Sequence, residues 1–181
     1  MPDHRVPGRL DRLRIAGIVW APAAFITSWL AAGLITKGYS PVRDHISDLD
    51  AIDAPTRPLM NVAFVSFALG AGLSAGPLRR FVGTPAAAAI GANAVISIGI
   101  MLAPLGRSSD GDRAHAAVAG LGYLALASTA PVAAPVLATG SRPMAVAALG
   151  VGAISLACLG ASLTGRRAGL WQQVGITTTD A

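Results

Sequence analysis

"IAGIVWAPAAFITSWLAAGLI", residues 15–35, runs for 21 residues without one Asp, Glu, Lys, Arg or His. A helix rises 1.5 Å per residue and the hydrocarbon core of a bilayer is about 30 Å thick, so this is the length and character of a spanning helix. Four further runs share it, at residues 59–78, 84–105, 116–138 and 144–163, and none holds a charged residue or a histidine. The charges, prolines and glycines collect in the breaks between them.

The composition agrees. Hydrophobic residues make up 53% of the 181, mean hydropathy is +0.58, and only 13% are charged, about half the share of a soluble domain. The chain therefore reads as an all-α integral membrane protein, a bundle of five transmembrane helices. Residues 1–14 form a basic cytoplasmic N-terminus, 15–165 a single helical membrane domain, and 166–181 an extracytoplasmic C-terminal segment. The 14 basic and 9 acidic residues leave a net charge of +5. In a membrane chain such an excess reports topology. No basic cluster is interleaved with aromatics, so a nucleic-acid partner is not expected. Cys158 is the single cysteine, which excludes an internal disulfide and a Cys-x-x-Cys site.

The first run follows "RVPGRLDRLR" (residues 5–14), similar to the n-region of a signal peptide. The apolar run is too long for a usual h-region and four more follow, so a retained signal anchor is expected. Counting Lys and Arg does not orient the bundle: with the N-terminus inside, seven lie on the cytoplasmic side and seven opposite. The four arginines before the first helix decide for a cytoplasmic N-terminus. The protein is then a multi-pass protein of the cell membrane, with three polar segments on the extracytoplasmic face: "YSPVRDHISDLDAIDAP" (39–55), "GRSSDGDRAH" (106–115) and "GRRAGLWQQVG" (165–175).

In the first of these, Ser47 stands three residues before Asp50, close to a capping pattern, and Asp53 before Ala54 and Pro55 is placed to cap the second span. Ile46, Leu49 and Ile52 recur every third residue, which fits a short amphipathic helix on the bilayer surface. Arg43, Asp44, His45 and Asp48 are not absorbed by that reading. Asp44, His45, Asp48 and His115 are candidate metal ligands for a divalent ion. His45, Ser47, Asp48 and His115 are candidate catalytic residues, with Ser47 as nucleophile, a histidine as base and an Asp as its orienter. Neither set has diagnostic spacing: there is no His-Glu-x-x-His and no Gly-x-Ser-x-Gly. No cofactor is expected, a divalent metal being the alternative. Arg43, Arg107, Arg166 and Arg167 all fall near the outer boundary. They suit either lipid phosphates or ion pairs with Asp44, Asp48, Asp110 and Asp112 that tie the loops together, the second being the simpler expectation.

Within the spans the deepest amide is Asn93, placed to bond a neighbouring helix. No ionisable group lies deep in a run, which disfavours ion- or proton-coupled transport. Pro22, Pro104, Pro131 and Pro135 predict kinks or early helix ends. "GLSAG" (72–76) is a GxxxG motif, and Gly150, Gly152 and Gly160 extend the Gly/Ala-rich theme. Such residues let helices approach closely, within the chain or between copies in a homo-oligomer.

"YSPVRDHISDLD" after a first span resembles the signature of a prokaryotic membrane family, the domain of unknown function 998, and more distantly the Frag1/DRAM/Sfk1 group of six-helix membrane proteins. Asn61 early in the second span, Pro104 ending the third, the acidic loop after it and His115 opening the fourth are similar in position. So are Arg166, Gly169, Leu170 and Gln172 of the last segment, while Gln173 stands where the family often has arginine. The resemblance implies six spans, the sixth starting near "ITTTDA" (176–181), where this sequence stops. It implies no particular activity. The first expectation is therefore a non-enzymatic membrane protein binding a lipid headgroup or a protein partner, with Arg43, Asp44, Arg107, Arg166, Arg167 and Gln172 as ligand-binding residues. The alternative is an extracytoplasmic, membrane-embedded lipid hydrolase, possibly metal-dependent.

Overall fold

The computed structural model describes residues 8–165 and 167–180, so Arg166 lies outside the described residues. Among those described there are helices and no strand: α1 (Arg9–Ile15), α2 (Gly17–Ile35), a 3-10 turn (Ile46–Asp50), α3 (Arg57–Leu102), α4 (Ser109–Ala138), α5 (Arg142–Ser162) and α6 (Ala168–Asp180). Four stretches are long and apolar enough to cross a membrane: Arg9–Ile35, Arg57–Leu102, Ser109–Ala138 and Arg142–Ser162. Their apolar windows are at most 33% buried, and Val19, Leu34 and Val95 are 71–88% exposed. A soluble fold would turn those side chains inward. Here hydrocarbon is their solvent, and the all-α membrane bundle read from the sequence is the architecture observed.

α3 is 46 residues long. Drawn straight it would measure about 69 Å, more than twice the hydrocarbon thickness. It is folded instead at Gly83, whose φ of 84° and ψ of 163° are not helical. A Cβ built on Gly72 sits 3.6 Å from Ala94, and one on Gly91 sits 3.9 Å from Ala75. Both pairs are symmetric about Gly83, so residues 57–82 and 84–102 run antiparallel. The runs at 59–78 and 84–105 are thus two arms of one helical hairpin. Only glycine suits this apex: φ is left-handed, and a Cβ would come within 2.8 Å of Val136 Cγ2.

Neighbours in sequence are neighbours in space. α2 packs on α3, α3 on α4, α4 on α5 and α5 on α6, while α6 also touches α4, α2 and the 3-10 turn. The last segment forms α6, which packs into the bundle. It buries Gly169, Gln173 and Gly175, with the Gly175 carbonyl accepting from the Ser155 hydroxyl at 3.0 Å. α2 and α4 run through Pro22, Pro131 and Pro135, while Pro104 stands just past the end of α3.

The core lies at the loop end. Ala21, Phe25 and Trp29 of α2 meet Met60, Phe64 and Phe67 of α3, under a lid formed by Ile46 and Leu49. Phe25 tilts against Phe64 and Phe67 at ring-centroid distances of 5.3 and 5.7 Å. A close helix–helix approach lies outside the GxxxG motif. Gly17 and Gly70 meet backbone to backbone, and a Cβ on Gly17 would overlap the Gly70 carbonyl oxygen. Gly76 has open space.

Gly70→Val is expected to destabilise the bundle by about 1–3 kcal/mol through overpacking. Gly76→Ala, with nothing within 4 Å of its new methyl, is expected to leave stability unchanged. Thermal unfolding of both variants in one detergent checks the contrast.

Candidate functional site

One end of the bundle gathers the first loop (36–56), the third loop (103–108) and the start of α6. The contacts are mainly backbone. The Leu170 N–H donates to the Val42 carbonyl at 3.2 Å, and the Ile52 N–H to the Leu105 carbonyl at 2.8 Å. The Ile46 N–H donates to Gln172 Oε1 at 2.8 Å. The Gln173 amide donates to the Tyr39 hydroxyl at 3.2 Å. α6 can lie this close only because residue 169 is glycine: a Cβ there would overlap the Asp44 carbonyl oxygen. The three polar segments expected on one face do meet there.

The carboxylates of this face serve the backbone. Asp44 accepts from the Ser40 N–H at 2.6 Å, Asp48 from the His45 N–H at 2.7 Å, and Asp112 from the Gly106 N–H at 2.8 Å. Asp110 pairs with its own neighbour Arg113 at 2.9 Å, both exposed. The expected ion pairs from these carboxylates to Arg43, Arg107 and Arg167 are therefore not formed. An irregular loop has backbone donors that no helix or sheet satisfies, and they engage a carboxylate three to six residues away in competition with a flexible arginine. Arg43, Arg107 and Arg167 are exposed and carry no ion pair among the described residues.

The 3-10 turn revises the local reading. Side chains spaced three apart eclipse in a 3-10 helix, and Ile46 and Leu49 are buried at 3% and 0% exposure against the core rather than lying on the bilayer surface. His45, not Ser47, is the residue that precedes the turn. Thr56, not Asp53, precedes α3, and Pro58 fills the first-turn position expected for Pro55. Asp53 is exposed.

The candidate histidines separate. His45 is half-buried at the head of the turn. His115, at the start of α4, is 3% exposed, and its Nδ1 lies 2.6 Å from the Ala103 carbonyl. A carbonyl only accepts, so Nδ1 carries a proton; in the neutral ring Nε2 is then an acceptor, and it has no protein partner. His115, Ser47 and Gln172 line one cavity of about 90 Å³, whereas Asp44, His45 and Asp48 do not. No hydrogen bond joins Ser47 to His115. Among the described residues, no group of three or more His, Cys, Asp or Glu is arranged to hold a metal ion.

One residue read from the sequence only as part of a capping pattern has a different environment. Asp50 is fully buried with neither carboxylate oxygen hydrogen-bonded, and Arg57 Nε nearby is likewise unpartnered. Burial raises the Asp50 pKa to about 6, against the pull of the Arg57 charge. Tyr39 is pushed up to about 12 by burial first and by Asp48 and Asp44, the Gln173 bond working the other way. It remains a neutral phenol at physiological pH.

A helical bundle with four membrane-crossing stretches, its loops stitched to the last helix, defines a multi-pass membrane protein. The chain belongs to the family described as "Protein of unknown function (DUF998)", whose pattern it matches over residues 19–181. No curated protein and no solved structure matches it.

Two consequences are measurable. Because its folded pKa is raised, Asp50 adds no penalty below about pH 4, where folded and unfolded carboxyls are both protonated. It opposes folding fully above about pH 6. Asp50→Asn is expected to raise the melting temperature at pH 8 and to match the wild type at pH 3.5, as followed by thermal unfolding. Gln172→Leu strands the Ile46 N–H and is expected to cost about 1–3 kcal/mol; denaturant titration in detergent reads it.

Proposed function

We propose that the protein is a non-enzymatic membrane protein whose extracytoplasmic loop face binds the phosphate of anionic lipid headgroups through Arg43, Arg107 and Arg167, with Arg166 beside them in sequence. The observation that carries this reading is the disposition of four carboxylates: Asp44, Asp48 and Asp112 accept from backbone N–H groups and Asp110 pairs with Arg113, while the exposed Arg43, Arg107 and Arg167 form no ion pair among the described residues. Arginine matches phosphate with two parallel N–H donors. The surroundings suit a membrane boundary, since Val42 beside Arg43 and Trp171 near Arg167 are 41% and 38% exposed, and tryptophan favours the headgroup level.

The orientation rests on the opposite end. There Arg9, Arg12 and Arg14 precede the first span, and Arg80 pairs with Asp11 at 3.1 Å. Arginines ahead of a first span favour the cytoplasm. The hydrolase alternative has less support, because Ser47 and His115 share a cavity without a hydrogen bond and the candidate aspartates are committed to backbone.

Purified protein in nanodiscs containing phosphatidylglycerol and phosphatidylcholine provides the test. Native mass spectrometry is expected to show phosphatidylglycerol retained in preference, with retention falling at least tenfold in the triple variant Arg43→Gln, Arg107→Gln, Arg167→Gln. Equal retention by a folded triple variant would sink the proposal.

A further inference from the structure

Beneath the first loop, the cavity holding His115 is not used by the arginine surface. Ser47, His115 and Gln172 line it together with Asn93, Tyr123 and Asp180, between apolar walls that include Phe25 and Phe64. The Tyr123 hydroxyl and one Asp180 carboxylate oxygen, like His115 Nε2, are buried without a protein hydrogen-bond partner. The polar groups are specific. The His115 ring is fixed by the Ala103 carbonyl, which makes the buried Nε2 of the neutral ring a hydrogen-bond acceptor lacking a protein donor. Gln172 spends its Oε1 on the Ile46 N–H, so its amide NH₂ is the end that remains to donate. The Ser47 hydroxyl makes no hydrogen bond among the described residues.

A buried acceptor left unmatched costs about 1–3 kcal/mol. A hydrocarbon occupant would leave it unmatched. A phosphate would bring acceptors to an acceptor, and it would lose its hydration against aromatic walls. A neutral hydroxyl can donate to His115 Nε2 and accept from the Gln172 amide, while the attached chain fills the apolar part. The volume of about 90 Å³ is several times the roughly 10–15 Å³ that a single water needs, so it admits a molecular end of several non-hydrogen atoms. We propose that this cavity binds the hydroxyl end of a neutral, lipid-soluble alcohol. The site is distinct from the arginine surface and does not rest on it.

The probe is a dodecanol carrying a photoreactive diazirine, added to the full chain in nanodiscs, with labelled peptides mapped by mass spectrometry. Labelling is expected in the peptides holding Ser47 and His115. Unlabelled dodecanol should compete at least tenfold better than 1-fluorododecane, which matches the hydroxyl in size and donates nothing. Ala119→Phe, which places a ring in the cavity wall without touching a hydrogen bond, should reduce labelling at least tenfold. The triple arginine variant should label as the wild type does. Equal competition by the two dodecyl compounds would overturn the proposal. So would wild-type labelling no higher than in Ala119→Phe, the result expected of a cavity that holds only water. If Ala119→Phe fails to fold, the competition in wild-type protein decides by itself.

Discussion

Backbone hydrogen bonding at the bilayer boundary is the constraint on which the loop face depends. Turns within residues 36–56 satisfy some of the loop's N–H groups and leave others without a backbone carbonyl of their own loop, and the membrane beside them offers little water to replace it. Three solutions appear together. Short-range carboxylates take the N–H groups of Ser40, His45 and Gly106. The third loop takes that of Ile52, and α6 supplies Gln172 to Ile46. The position of α6 follows from this, because Gly169 allows its first turn to rest on the Asp44 carbonyl. The exposed arginines follow as well, since the carboxylates that would have neutralised them are already engaged.

The parts of the fold that were legible in the sequence are those governed by hydropathy. Runs of about twenty uncharged residues became helices, and the polar breaks became the loop face. The hairpin apex at Gly83 was visible as a break, although the helix resumes so soon after it that only one non-helical residue parts the two antiparallel arms. Side-chain partners were far less legible. Asp44 and Asp48 look like ion-pair or metal residues in a list of charges, and only their distance to particular N–H groups reveals them as caps. Asp50 differs from Asp48 and Asp53 by nothing in spacing; a turn that buries Leu49 buries it too. The three-residue spacing of Ile46 and Leu49 was a true signal, but of a 3-10 turn facing the core. With so many small residues, no pattern marked Gly17 and Gly70 as the pair that touches.

Both candidate sites share a physical logic. On the surface, guanidiniums are unpaired because backbone competes for their partners. In the cavity, His115 Nε2 is unpaired because the Ala103 carbonyl fixes the other edge of the ring. The guanidiniums are exposed and carry no such cost, whereas the buried Nε2 does, and buried examples of that kind are uncommon in folded chains. Asp50 belongs with them energetically, yet no cavity reaches it in a way that would name a ligand.

The glycine apex at Gly83 also bears on how the chain sits in a membrane. Its arms are joined by one left-handed residue, with Arg79 and Arg80 just before it, and pack through Gly72 on Ala94 and Ala75 on Gly91. With so short a connector both arms have their adjoining ends at the same depth, so in the folded bundle the two arginines mark one boundary for both.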